Sequence, residues 1–364
     1  MQVHIPLVIV CVVLCLLPFN SRWKKVLIMP LCMLMITVYM AIRYDYGLDY
    51  WAYYNGFTEK EHRTGITEPL FWFFSSLFPK YYMLIATSSI LMMCAVYSWV
   101  KKYIFPEYYA LFFMCFMCIP GMCFTMMTAI RTGMAFVVLS WGFYRYYINK
   151  QNLGVYSLVV IFAAMIHNSA FVFIIIPVIG ALIMRIKPMI IFIIFLVFSI
   201  FSFTGVTQSI SNFLFSQLFS VGFIDADYYS NYATKYVSNI NGAILRSTLI
   251  FPMFFICLYA NRTKDKAFFK FYVLSVVYMM IYSLSLDIDY RFTLYMFVFF
   301  IIALNFCLPQ MNIVTKLIAI LPIIALCIFQ LYSYFNLMQD ELFGDYSEGN
   351  FLIYETIFDN LPLI

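Results

Sequence analysis

Four polar clusters interrupt an otherwise apolar chain, and each carries residues able to do chemistry. Residues 42–56 crowd Arg43, Asp45 and Asp49 among six aromatic side chains around Gly47. Asp45, Asp49 and Tyr53 follow an i, i+4 spacing, so a helix through them would present all three on one face. Two carboxylates and a guanidinium beside aromatic rings suit a polar ligand. The bland alternative is an interfacial belt with a snorkelling arginine. Glu68-Pro69, further along, reads as the start of a helix running through Trp72.

The second cluster is Thr128, Arg131, Thr132 and Ala135, inside an apolar run over 123–146. Thr128, Arg131 and Ala135 share one helical stripe, and an arginine within a membrane span is a functional candidate by default. The third is His167-Asn168-Ser169, a polar break between two short apolar runs. Histidine titrates near neutrality and takes a proton from a hydroxyl during catalysis; a helix-end histidine bonded to backbone is an equally good account. The fourth is Asp287, Asp289 and Arg291, with Tyr290 and Tyr295, where an i, i+4 ion pair between Asp287 and Arg291 is the plain reading. Asp225 and Asp227, followed by Tyr228, Tyr229, Tyr232 and Tyr236, add an acidic and aromatic patch suited to sugar rings.

Arginine binds phosphate oxygens bidentately, so several arginines around one cavity suit a diphosphate. An acid or a histidine beside them could take a proton from an attacking hydroxyl. The set fits a glycosyl donor carried on a lipid diphosphate, provided the fold brings the clusters together.

The elements that must do so are membrane helices. The chain has 364 residues, 65% hydrophobic and 11% charged, with mean hydropathy +0.90. A soluble domain carries about 25% charged residues, so the chain is an all-α polytopic membrane protein, expected to form one transmembrane domain over residues 1–364. A span needs about 20 mainly apolar residues. Such runs fall near 4–20, 26–42, 81–100, 103–119, 123–146, 153–167, 169–184, 189–204, 243–260, 271–286, 291–308 and 313–335, giving about 12 transmembrane helices.

That count places most lysines and arginines on one face and every acid except Glu107 and Asp265 on the other. By the positive-inside rule the basic face is cytoplasmic and both termini lie outside. The first apolar run lacks the charged start and cleavage site of a signal peptide and is expected to stay as a spanning helix. Aromatic-rich loops near 43–80 and 205–242 and a tail over 336–364 then share the outer face. The ten cysteines lie in or near apolar runs and read as small hydrophobes; Cys115 and Cys118 have no matching second pair, so no metal site is expected.

At the clustered residues the chain resembles a known family. Arg43-Tyr44-Asp45-Tyr46-Gly47-Leu48-Asp49-Tyr50 is similar to the R-Y-x-x-G-x-D-Y stretch of the EpsG/Wzy-type polysaccharide polymerases, continued by Tyr53-Tyr54 and Glu68-Pro69. Ala129-Ile130-Arg131-Thr132-Gly133-Met134-Ala135 resembles their I-R-x-x-[IM]-A helix, and Phe162 to Ala170 their A-x-x-[FI]-H-x-S-A break. Asp289-Tyr290-Arg291 with Tyr295 looks like their late arginine-tyrosine segment. Tyr354-Glu355-Thr356 is only weakly similar to the segment after their last span, whose proline is missing here.

The resemblance implies a GT-C-like glycosyltransferase architecture in the cytoplasmic (inner) membrane. It implies polymerisation of undecaprenyl-diphosphate-linked oligosaccharide repeat units on the outer face, the growing glycan passing to the non-reducing end of a new unit. It further implies diphosphate binding by Arg43, Arg131 and Arg291, with His167 or else Asp49 as general base. Asp45, Tyr53, Asp289 and Tyr295 would contact the substrate. No cofactor, metal or nucleic acid is implied; a chain-length regulator and a flippase are the implied protein partners. Two other classes compete: a lipid-linked oligosaccharide flippase, which would show related halves and broken helices at the midplane, and a ligase that transfers finished glycan.

Overall fold

The computed structural model describes residues 3–44, 50–58, 68–119, 122–150, 152–202, 248–283, 289–337 and 355–356. Each of the twelve apolar runs contains a helix. Among the described residues three helices are long and apolar enough to cross a membrane: Ser21–Ala41, Tyr81–Tyr103 and Ile313–Tyr332. A fourth qualifies if the bent pair Asn168–Ile183 and Pro188–Phe201 counts as one broken span. Other apolar helices, such as His4–Leu16 and Leu153–Ala164, are shorter. The protein is thus a helical membrane protein, with several apolar runs cut by turns.

The chain divides into two compact units, Met1–Pro177 with Cys327–Ile364, and Val178–Leu326. The first begins with α1 (His4–Leu16) and α2 (Ser21–Ala41). Asn20 caps α2 by accepting the Trp23 N–H at 2.9 Å. Pro30 has no N–H to give and its ring crowds the preceding turn, so α2 takes a π turn over Lys24–Ile28 before it resumes. After α2 comes β1 (Arg43–Tyr44), which pairs antiparallel with β2 (Glu355–Thr356), Arg43 opposite Thr356. This short ladder is the one departure from an all-α fold among the described residues.

Two short helices follow, α3 (Tyr50–Thr58) and α4 (Pro69–Ser76), then the long α5 (Tyr81–Tyr103) and α6 (Tyr109–Cys118). α7 (Cys123–Thr128) and α8 (Ile130–Gly142) would be one helix but for Ala129, whose φ of −99° and ψ of 72° break the register. α8 runs on as a π helix over Phe143–Lys150, and α9 (Leu153–Ala164) leads to the turn at His167 and a 3₁₀ helix over Asn168–Ile175. The core of this unit packs α2 on α5, α5 on α8, α8 on α9 and α1 on α6. Gly133 sets the approach of α8 to α5, since a Cβ there would stand 2.4 Å from the Met92 Sδ.

The second unit contains α11 (Pro188–Ser202), α12 (Ile250–Ala260), α13 (Lys266–Ser283) and α14 (Asp289–Cys307); α10 (Ile176–Ile183) and α15 (Ile313–Leu337) cross its boundaries. Aromatic rings hold its core. Phe271 stacks on Phe299 at 6.2 Å between α13 and α14, and Phe192 meets Phe254 edge-on at 5.0 Å between α11 and α12. All ten cysteines are free thiols, buried except Cys94.

Candidate functional site

The site is built around Glu68. This residue sits at φ 65°, ψ 51°, the left-handed region, and among the described residues no other non-glycine has a positive φ. Such a conformation costs roughly 1–2 kcal/mol for an L-residue, and it swings the side chain away from α4 into the protein, where it is 4% exposed. One backbone bond fixes the segment: the Leu70 N–H donates to the Met165 carbonyl at 3.1 Å, tying the start of α4 to the end of α9.

Both carboxylate oxygens are engaged. Oε2 accepts from Nη1 of Arg131 in a salt bridge. Oε1 meets Nδ1 of His167 and accepts from the Asn168 N–H at 3.3 Å. Burial works to raise the Glu68 carboxyl, but the His167 hydrogen bond, the Arg131 charge and the Asn168 N–H outweigh it and hold the group below its ordinary value. A carboxylate on Nδ1 selects the tautomer protonated there, which makes Nε2 the basic nitrogen of the ring.

Arg131 lies in the first turn of α8, just past the Ala129 break, and its side chain is 34% exposed. Its Nε donates to the Tyr53 hydroxyl at 3.1 Å, and its guanidinium carbon lies 5.1 Å from the centre of the Tyr53 ring. Tyr53 is buried on α3 and leans on Phe71 of α4, ring centres 5.9 Å apart. Four segments thus converge on one connected group, Tyr53–Arg131–Glu68–His167. It can fix an anion with an arginine that is oriented but still accessible, and it can hold a histidine in one tautomer beside a carboxylate.

Of the residues picked from sequence, the fold brings Arg131, His167 and Tyr53 together. Arg43 is placed differently, at 1% exposure, with Nη1 donating to the Met40 carbonyl and to the Ser89 hydroxyl at 3.2 Å, and Nη2 donating to the Met127 carbonyl at 2.8 Å. Asp45 and Asp49 lie outside the described residues, as do Asp225 and Asp227. Asp289 and Arg291 fall in the first turn of α14, and Tyr295 is buried one turn on, in the second unit. Sequence reasoning missed Glu68 as a site residue. The signal was present in Glu68-Pro69, read as a helix start and as a continuation of the first family motif, without a role for the carboxylate.

The fold and the site define a class, the helical membrane proteins, here with a buried carboxylate that links an arginine from an apolar run to a histidine. The family is specific: the model of the EpsG family matches residues 4–347, and the chain belongs to that family. Membership points to a function of the polysaccharide-polymerase type. No curated protein and no solved structure matches the chain.

Proposed function

We propose that the protein is a glycosyltransferase that polymerises oligosaccharide repeat units carried on undecaprenyl diphosphate. The observation that carries this reading is the connected group Tyr53–Arg131–Glu68–His167. A guanidinium has five N–H donors. The bonds of Arg131 to Tyr53 and Glu68 leave its planar fork able to take phosphate oxygens.

In the proposed reaction an acceptor sugar hydroxyl attacks the anomeric carbon of the growing glycan. The new C–O bond forms as the anomeric C–O bond to the diphosphate breaks, and the electron pair leaves with the lipid diphosphate. Arg131 stabilises the charge that develops on the leaving group. Nε2 of His167 takes the hydroxyl proton, and Glu68 holds the resulting imidazolium through Nδ1. Glu68 therefore has two tasks, orienting the arginine and supporting the base. Tyr53 keeps the guanidinium in plane.

The fuller frame is part of the same proposal: twelve crossings in a GT-C-like arrangement in the cytoplasmic membrane, both termini outside, and the cluster opening to the outer face. The lipid-linked oligosaccharide and the bilayer are the proposed partners, with a chain-length regulator and a flippase nearby. Asp45 is assigned to substrate contact, and Asp49 is the alternative general base.

The test is the surface-glycan profile of a deletion strain, complemented with wild type, Arg131→Ala or His167→Ala. Collapse of the ladder to single capped units, restored only by wild type, supports the polymerase. Loss of all surface glycan with lipid-linked units accumulating inside would indicate a flippase. A full ladder in both variants would overturn the assignment.

A further inference from the structure

Arg43 carries a full charge into the protein interior, at 1% exposure. Its guanidinium donates to Met40 O, Ser89 Oγ and Met127 O. Met40 lies in the last turn of α2 and Met127 in the last turn of α7, where carbonyls lose their helical partners and the helix dipole is negative. A guanidinium between two helix C-termini is in the right place for its charge, and Ser89 adds a third anchor on α5. The backbone of Arg43 is itself held by the ladder with Glu355–Thr356.

The bond to Met127 is the informative one. In an uninterrupted helix the Met127 carbonyl would accept from the N–H of residue 131, four positions on. The turn at Ala129 ends that register, and Arg43 Nη2 meets the Met127 carbonyl instead, at 2.8 Å. A break in a membrane helix survives only where freed backbone groups find other partners. α8 restarts at Ile130, and Arg131 in its first turn is aimed at Glu68 and Tyr53.

We infer that Arg43 is a positioning residue: it stabilises the break between α7 and α8 and thereby sets the direction of Arg131, without touching the diphosphate. This rests on the reading of Arg131 as the diphosphate-binding arginine. It replaces direct substrate binding by Arg43 with an action through the backbone.

Two measurements on the full-length protein in nanodiscs test it. The first is hydrogen exchange at the amides of residues 130–133, which requires no assumption about substrate. Arg43→Met should raise exchange there about tenfold, which corresponds to about 1.4 kcal/mol of lost local support. Amides of α13 and α14 should be unchanged, which checks the fold. Arg43→Lys, which keeps the charge but loses the fork, and Ser89→Ala, which removes one anchor, should fall between. They keep the test usable if Arg43→Met does not fold. Wild-type exchange at 130–133 in these variants would overturn the inference.

The second is a double-mutant cycle on binding of undecaprenyl diphosphate. Arg43→Met and Arg131→Ala should each weaken binding, and the double variant should bind no worse than Arg131→Ala alone. Additive losses would mean that Arg43 contacts the diphosphate itself and would overturn the inference. If wild type fails to bind this lipid, the proposed function falls, and the exchange measurement alone decides the role of Arg43 at the break.

Discussion

Replacing Glu68 separates what its carboxylate does from what its backbone does. Glu68→Ala removes two charge-assisted contacts, to Arg131 and His167. Hydrogen bonds to charged groups contribute about 1.5–3 kcal/mol each; the Arg131 side is discounted because that side chain is 34% exposed. A net loss of about 2–4 kcal/mol follows. Glu68→Gly loses the same contacts but suits the left-handed backbone at φ 65°, so it should be about 1 kcal/mol more stable than Glu68→Ala. Glu68→Gln keeps the shape but presents an N–H₂ donor to the guanidinium or the imidazole. Thermal unfolding of the purified proteins should rank Gly above Ala by about 1 °C. All three should reduce polymerisation by roughly 10²-fold, the scale of losing general-base catalysis. Alanine as stable as glycine would refute the backbone argument. Near-normal ladders from Glu68→Gln would refute the role of the carboxylate.

Acid should destabilise the fold through the same group. The Glu68 carboxyl sits below its ordinary value in the folded protein, so the unfolded chain binds that proton more readily. Its contribution is complete above the ordinary carboxylate range and is lost as pH falls through the lower folded value; unfolding midpoints of wild type and Glu68→Gln should converge in acid. Tyr53→Phe removes the hydroxyl at 3.1 Å from Arg131 Nε while keeping the ring beneath it, and should slow polymer formation up to about tenfold, with Tyr53→Ala slower still, both read from the surface-glycan ladder. Gly133→Val should destabilise by about 1–3 kcal/mol, because Met92 is fully buried and its Sδ would lie 2.4 Å from the new Cβ. Met92→Ala in the same chain should recover part of that loss in thermal unfolding, and failure to do so would put the strain elsewhere.

Local pattern was legible in the sequence, and convergence was not. Every apolar run holds a helix because hydropathy acts residue by residue. Arg131 drew attention because a charge in an apolar run is conspicuous wherever its partner lies. Glu68 did not, since its partners are 63 and 99 positions away and an acid before a proline has an ordinary reading as a helix start. The break at Ala129 has the same origin: alanine is the strongest helix former, and what stops the helix there is a turn whose open carbonyl is met by an arginine 84 positions earlier. Arg43 was placed correctly at the end of its helix by sequence, but two of its described acceptors are backbone carbonyls that no residue type announces.

The bond from the Leu70 N–H to the Met165 carbonyl joins the two halves of the site through main chain alone. A scan of side-chain substitutions would find Leu70 and Met165 forgiving and would score this junction as silent. A change of the linkage itself, an ester in place of the amide at Leu70, would loosen Glu68 from the His167 turn while leaving every side chain intact. A map of tolerated substitutions for this protein would therefore understate how closely the geometry around Glu68 depends on two residues of no chemical distinction.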